Sequence, residues 1–443
     1  MTAGLELEDW VERQCRRSAG FMAKSVSAVG LRKERPGLGQ VVVPARGSVL
    51  ASPVPAAWDP EPDYFFHWLR DSALVMDAAS ELIRGSSDDG ERRAWQERWR
   101  DFVGFSLRLD RLSGRRLVAG VNLERRVRSA MRPHFRGTAE LASIEGDRLR
   151  GEVRFNPDGT LDLLRWTRPQ HDGPALRALA LLRHLPLCAG ETERDALAGL
   201  LRADLAHVVR HAGECCAGPW EEEAGRHYYT EVVEAGALLA GAAWAEAAGE
   251  AALAGACRGT GLRLEAGLED FVRGDMLAAR AGEGPDGALD SSVILGVLHA
   301  GRRDSRHGVA DPRLLATLDR LGEHFAAAYP LNRAHPEEAP ALGRYPGDAY
   351  FGGGPWFVTT LAAAELHYRR ASLAGADGAA DLARGDAFMA TVRRLVPEDG
   401  SLSEQADAET GAPVSARHLA WSYAAFITAA AARRLAVRAQ ATK

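Results

Sequence analysis

Two short segments hold carboxylates in settings suited to acid–base chemistry. Trp220-Glu221-Glu222-Glu223 follows Cys-Cys-Ala-Gly-Pro on a loop after a predicted helix end, and Gly400-Ser401-Leu402-Ser403-Glu404-Gln405 lies far downstream in another turn-like stretch. Two carboxyl groups are the minimum equipment for cleaving a glycosidic bond, one neutral to protonate the leaving oxygen and one ionised to activate water. A Glu triplet is more often a solvated acidic run, and a loop glutamate such as Glu404 has the same plain reading. The neighbours favour chemistry. Trp220 adjoins Glu221, and an aromatic wall raises a carboxyl pKa by excluding water from the charged form. Ser401, Ser403 and Gln405 surround Glu404 with polar groups suited to an ionised base. His227-Tyr228-Tyr229-Thr230 adds hydrogen-bonding groups that could face a sugar.

Further segments supply a pocket for such a pair. In Tyr64-Phe65-Phe66-His67-Trp68-Leu69-Arg70-Asp71-Ser72 part of the aromatic cluster is core, but Arg70 and Asp71 at a helix start can grip neighbouring hydroxyls as donor and acceptor. Trp68, Trp166 and Trp356 are candidate platforms for the C–H faces of pyranose rings. Other patterns carry less. His207 and His211 stand four apart like metal ligands, but Glu214 is weak support and no third ligand is evident, so no metal is expected. Gly352-Gly353-Gly354 precedes a helix without the Lys of a phosphate loop, and no Gly-x-Ser-x-Gly elbow occurs. Asp88-Asp89 reads as a surface turn, and no cofactor is implied.

These segments must be positioned by helices. Helical periodicity recurs over about 7–28, 67–85, 90–112, 174–185, 191–213, 227–248, 250–271, 290–300, 311–328, 355–373, 378–396 and 415–436. Members such as 228–247 are small or apolar nearly all round, as buried helices are, whereas 92–108 is charged on one face. An alternation of inner and outer helices predicts an all-α, two-layered barrel of twelve helices. Asp172-Gly173-Pro174 offers a cap and a first-turn proline. The helical signal lapses over roughly 113–166, a non-helical insert in which 152–155 reads as a strand entering the turn Asn156-Pro157-Asp158-Gly159. No linker appears, so residues 1–443 are expected to form a single domain.

Composition sets outer bounds. The 443 residues are 46% hydrophobic, and 60 acidic against 55 basic residues leave a net charge of −5, which gives no footprint for nucleic acid. Five cysteines without paired spacing fit reduced thiols. The N-terminal stretch lacks the apolar region of a signal peptide, and no apolar run is long enough to span a membrane. The expected address is cytoplasmic.

Five blocks together resemble glycoside hydrolase family 15, the glucoamylases: Tyr64 to Asp71, Trp166 to Arg177, Trp220-Glu221-Glu222, Gly343-Arg344-Tyr345-Pro346 through Gly354-Pro355-Trp356-Phe357, and Gly400 to Gln405 with Ser415-Ala416-Arg417 and Trp421-Ser422-Tyr423. They stand in the family's order across nearly the whole chain, and Ala51-Ser52-Pro53 fits too. The resemblance implies an (α/α)6 barrel and an inverting exo-enzyme that releases β-glucose from the non-reducing ends of α-glucans, such as short α-linked gluco-oligosaccharides. It implies Glu221 as general acid, Glu404 as general base, Arg70 and Asp71 on the terminal glucose, and Trp166 near the acid. Glu222 would contact the next sugar, with Tyr64 and Trp68 at the pocket end. Inversion requires carboxyl groups about 6.5–9.5 Å apart. The chain departs from the family at Ala326, where fungal members carry an Arg, at Gly352 in place of Asn, and at His171 and His418. Isomaltose or dextran hydrolysis, trehalose hydrolysis and non-catalytic sugar sensing are the rival expectations. With no starch-binding domain or secretion signal in view, the expected substrates are short, imported oligosaccharides.

Overall fold

The computed structural model describes residues 2–57, 61–282, 289–303 and 306–441. Helices form at all twelve places where the period predicts them. In chain order they are α1 Thr2–Ala23, α2 Leu69–Gly85, α3 Asp89–Leu109, α4 Asp172–His184, α5 Glu191–His211 and α6 Tyr228–Ala247. The second half supplies α7 Ala251–Gly267, α8 Ser292–Ala300, α9 Pro312–Ala328, α10 Phe357–Ala374, α11 Ala379–Leu395 and α12 Ala420–Ala441.

The even-numbered helices close a ring: α2 packs on α4, α4 on α6, α6 on α8, α8 on α10, α10 on α12, and α12 back on α2. Odd-numbered helices lie outside, α1 against α12, α3 against α2, α5 against α4, α7 against α6, α9 against α8 and α11 against α10. This is the expected (α/α)6 barrel. Sequence explains the layers. Helix α10 buries every residue from Phe357 to Tyr368, which small and apolar side chains permit. Outer α9 buries only Leu314, Thr317, Leu318, Leu321 and Phe325, a single stripe at helical spacing.

Local signals behave unevenly. Asp88, expected in a surface turn, caps α3 by accepting from the amides of Gly90 and Glu91 at 2.6 and 3.1 Å. Asp172, expected as a cap, instead opens α4 without a capping bond and turns to Arg70, 3.6 Å away. The insert is less irregular than its sequence suggests. It holds helical turns at Gly114–Val118, Leu123–Arg126 and Thr138–Ala142 and 3-10 turns at Ser129–His134 and Gly146–Leu149. Elements of four to six residues are too short to display a helical period. The predicted strand exists as Arg154–Phe155, paired antiparallel with His67–Trp68, so the insert fixes the residues that lead into α2. Its apolar residues form a second core cluster with Trp68 and Leu69. Among the described residues no helix is long and apolar enough to cross a membrane.

Buried ion pairs bind the layers. Arg177 of α4 meets Asp204 of α5 through two hydrogen bonds of 2.7 and 2.6 Å, with both side chains almost wholly buried. Removing one partner of such a pair leaves a charge without compensation. Asp204→Ala is expected to destabilise the fold by about 3–5 kcal/mol in urea unfolding, and a change within the scatter of surface substitutions would contradict this.

Candidate active site

The segments that lead into α2, α4, α6, α10 and α12 line a cavity of about 530 Å³. Trp68 precedes α2, with Arg70 and Asp71 in its first turn, Trp356 precedes α10, and Trp421 lies in the first turn of α12. Helix N-termini carry partial positive charge, which suits the carboxylates gathered there. The close approach needed between α2 and α4 is secured by Gly173, where a Cβ would lie 2.7 Å from Leu69 Cβ.

The two predicted carboxylates and the predicted pocket residues line this cavity: Tyr64, Trp68, Arg70, Asp71, Trp166, Glu221, Glu222, Trp356 and Glu404. Burial grades along it. Arg70, Asp71, Glu404 and Trp421 are at most 5% exposed, whereas the Glu222 side chain is 44% exposed.

Glu221 sits with φ 65° in the loop between the paired segments Cys216–Ala217 and Ala224–Gly225. Its Oε1 accepts from the Trp68 indole at 2.8 Å and from Arg70 Nη2 at 3.1 Å, and its Oε2 accepts from the Trp166 indole. Thr167 Oγ1 donates to its main-chain oxygen. The sequence placed Trp220 as the wall against this carboxyl, but the tryptophans bonded to it are Trp68 and Trp166, acting through N–H groups. Trp220 directs its own indole N–H to Asp290 at 2.9 Å and packs on Trp356 with centroids 5.4 Å apart.

Glu404 differs from its sequence expectation more deeply. It is 3% exposed, and burial pushes its carboxyl up from an ordinary 4.5 to about 7, despite the Ser415 and Tyr64 hydroxyls and the Arg344 charge. None of the polar neighbours meant to keep it ionised bonds to it: Ser403 Oγ donates to the Gln405 main-chain oxygen, the Ser401 amide donates to Asp399, and both Gln405 amide atoms are buried with no hydrogen-bond partner among the described residues. The hydroxyls that reach Glu404 belong to Ser415, eleven residues downstream, and to Tyr64. Its amide donates to the Ala416 main-chain oxygen and its main-chain oxygen accepts from Phe357 at the start of α10.

Arg70 is the hub of the deep end. It donates to Gln170 Oε1 at 3.1 Å and lies 3.3 Å from Asp71 Oδ2 and 5.4 Å over the Trp421 ring. Burial, opposed by Arg70 and assisted by the Glu221 and Asp172 charges, raises Asp71 to about 6. Among the described residues Asp71 Oδ2 and both Asp172 carboxylate oxygens are buried without a hydrogen-bond partner. Donor hydroxyls would complete this end of the cavity. Tyr64 and Tyr350 join their hydroxyls at 2.8 Å, and the charges of both Glu404 and Glu221 act on this pair. Glu222 takes bonds from Tyr345 Oη and Arg344 near the exposed end.

Several contributors escaped the sequence reading as site residues. Arg344 pairs with Asp348 at 2.6 Å and stands 5.1 to 5.5 Å from the rings of Trp220, Tyr345, Tyr350 and Trp356. Tyr350 and Trp421 line the cavity as well. Arg154, fully buried against Asp162, lies 4.7 Å behind the Trp68 ring and 3.8 Å behind Trp166. It braces the two indoles that hold Glu221, across a sequence gap that no local pattern reveals. Conversely, the hydroxyls of Tyr228 and Tyr229 point into the core toward His307 and His299, not toward a sugar. Ala326 is exposed near the end of α9 and does not line the cavity; the cation beside Glu222 is Arg344.

The chain is similar to known proteins along most of its length. The family model for glycosyl hydrolases family 15 matches residues 148–385 and 381–431. Glucoamylase-1 of Schizophyllum commune is 28% identical, across 89% of this chain and 70% of its own length. The glucoamylase of Blastobotrys adeninivorans is 27% identical across 84% of this chain, which spans 65% of that relative. The probable glucoamylase of Schizosaccharomyces pombe is 25% identical across 96% of this chain and 91% of its own. Among solved structures, a glucoamylase from Saccharomycopsis fibuligera superposes with a TM-score of 0.79 over 99% of this chain and 96% of its own, at 23% identity. That likeness is one of fold.

Proposed function

Because the chain belongs to glycosyl hydrolases family 15, we propose that it is an inverting, exo-acting glucohydrolase of short α-glucosides or α-glucans, with α-1,4 links favoured. The observation that carries this reading is one cavity, buried at one end, with two glutamates and an Arg70–Asp71 pair on its walls. In this reading the terminal glucose lies deep, its hydroxyls donating to Asp71 and accepting from Arg70. Glu221 protonates the glycosidic oxygen, and Glu404 draws a proton from the water that attacks the opposite face of the ring. The next sugar meets Glu222 and Arg344, while Trp68, Trp166 and Trp356 pack on ring faces. A cytoplasmic address fits the five cysteines, all free and four of them buried.

The test is glucose release from maltose, maltotriose, isomaltose, panose, trehalose and soluble starch, with the anomer followed by proton NMR. The expected product is β-glucose, formed fastest from the maltose series. Initial α-glucose would overturn inversion, and a preference for isomaltose or trehalose would move the linkage. Glucose or acarbose binding without any turnover would identify a sugar sensor instead.

A further inference from the structure

Beside the barrel, three histidines and two acids from separate segments converge. His171 precedes α4, His207 and His211 lie one turn apart on α5, Glu214 follows α5, and Asp147 comes from the 3-10 turn in the insert. His207 Nδ1 meets Asp147 Oδ1 at 3.0 Å, and His211 Nε2 meets Asp147 Oδ2 at 2.7 Å. His171 Nδ1 lies 3.3 Å from His207 Nε2.

These contacts dictate where the protons sit. With neutral imidazoles, His207 donates from Nδ1 to Asp147 and therefore accepts at Nε2 from His171 Nδ1–H. His211 donates from Nε2 to the same carboxylate. His171 Nε2, His211 Nδ1 and Glu214 Oε2 then face one another; a proton on His211 Nδ1 would bond Glu214 but still leave His171 Nε2 without a partner. Glu214 Oε2 is 3.0 Å from His211 Nδ1 and 3.8 Å from His171 Nε2. His171 is 3% exposed, and its Nε2 is buried with no hydrogen-bond partner among the described residues. Arg210 already pairs with the Asp147 carboxylate, so the atom of this cluster left without a partner among the described residues is His171 Nε2.

We propose that His171, His211 and Glu214 form a binding site for one divalent transition-metal ion of the zinc class. One ligand atom from each lies within 4.8 Å of the others. Tetrahedral bonds to nitrogen and oxygen place ligand atoms roughly 3.4 Å apart, between the two Glu214 separations. Two imidazoles and one carboxylate suit zinc, cobalt or nickel better than calcium or magnesium. Asp147 orients His211 directly and His171 through His207, the carboxylate–histidine support that metal ligands use. The His171 and His211 rings lie nearly parallel with centroids 5.0 Å apart, so one ring turns on binding. His211, 29% exposed at its side chain, is the freer, and Glu214 at 55% opens the site to solvent. Gln170 and Asp172 flank His171 and both contact Arg70 Nη1, so the ion braces the segment behind the hub of the cavity.

The experiment titrates chelator-dialysed protein with Zn2+ by calorimetry and with Co2+ by visible absorption, for the wild type, Glu214→Gln and His211→Gln. One ion per chain is expected, with cobalt bands of a four-coordinate nitrogen–oxygen site. Each variant should lose the bands and bind at least tenfold more weakly, with metal-free melting unchanged for the exposed Glu214→Gln. Asp147→Asn should weaken binding by roughly 10–100-fold. Absence of saturable binding overturns the site. Wild-type affinity in both variants also overturns it, because the ion would then occupy another cluster, such as His184, Cys188 and Glu193.

Discussion

Glu221→Gln is expected to lower kcat on maltose by roughly 10²–10⁴-fold, while sparing turnover of α-glucosyl fluoride to a much greater extent. A glucose leaving group needs a proton as the glycosidic bond breaks, whereas fluoride departs as a stable anion without one. The two substrates therefore separate proton donation from every other role of the side chain. That separation matters here, because both Glu221 oxygens face N–H donors from Trp68, Arg70 and Trp166. An amide nitrogen in that place meets a donor with another donor, so some loss through misorientation falls on both substrates alike. Excess loss on maltose measures the acid. Equal losses would remove Glu221 from that role, and near-normal maltose turnover by the folded variant would refute the assignment outright. The geometry adds a requirement: to protonate a leaving oxygen, Glu221 must give up one of its three donors when substrate arrives. Arg70 is the natural one to yield, since sugar hydroxyls compete for the same guanidinium.

The barrel was legible because its helices are long and its two layers differ in composition. A stretch such as Phe357 to Tyr368 tolerates burial on every side, while the α9 stripe does not, and both patterns are visible in the residues themselves. The site residues were legible for a related reason. They cluster at the starts of inner helices, where short motifs stay together in sequence and in space. What escaped depends on pairing across the chain. Arg154 reaches the Trp68 and Trp166 rings only because the insert folds back on the lead into α2. Asp147 and His171 join His207 and His211 by the same folding, so the sequence offered His207, His211 and a weakly placed Glu214 where the structure adds His171 and Asp147. Charge state escaped most completely. Hydroxyls adjacent to Glu404 in sequence look like partners, yet a loop can turn them outward or onto its own backbone, as Ser403 does. Burial and desolvation of the glutamate depend on contacts from distant segments, Tyr64 and Phe357 among them, which no window of residues around position 404 records.

That desolvation governs the second large effect. Glu404→Gln is expected to cut kcat by roughly 10²–10⁴-fold on maltose and on α-glucosyl fluoride together, because both need an activated water. A base acts only when ionised, and burial raises the Glu404 carboxyl from 4.5 to about 7. In the wild type kcat/KM should therefore climb with pH up to about 7, falling about tenfold per unit on the acid side. The residual activity of Glu404→Gln should lack this limb. Ser415→Ala, which deletes a hydroxyl that favours the charged form, should shift the limb to higher pH. Stability moves the opposite way with pH. A carboxyl whose folded pKa is raised contributes stability in full below its unfolded value near 4.5, and that contribution is lost as pH rises through about 7. Glu404→Gln, neutral throughout, should gain on the wild type in melting temperature across this window. A limb that persists in Glu404→Gln would assign the titration to another group, with Asp71, at about 6, the first to replace. Loss of the limb together with the gain in melting temperature ties base catalysis and the energetic cost of the site to the same buried carboxylate.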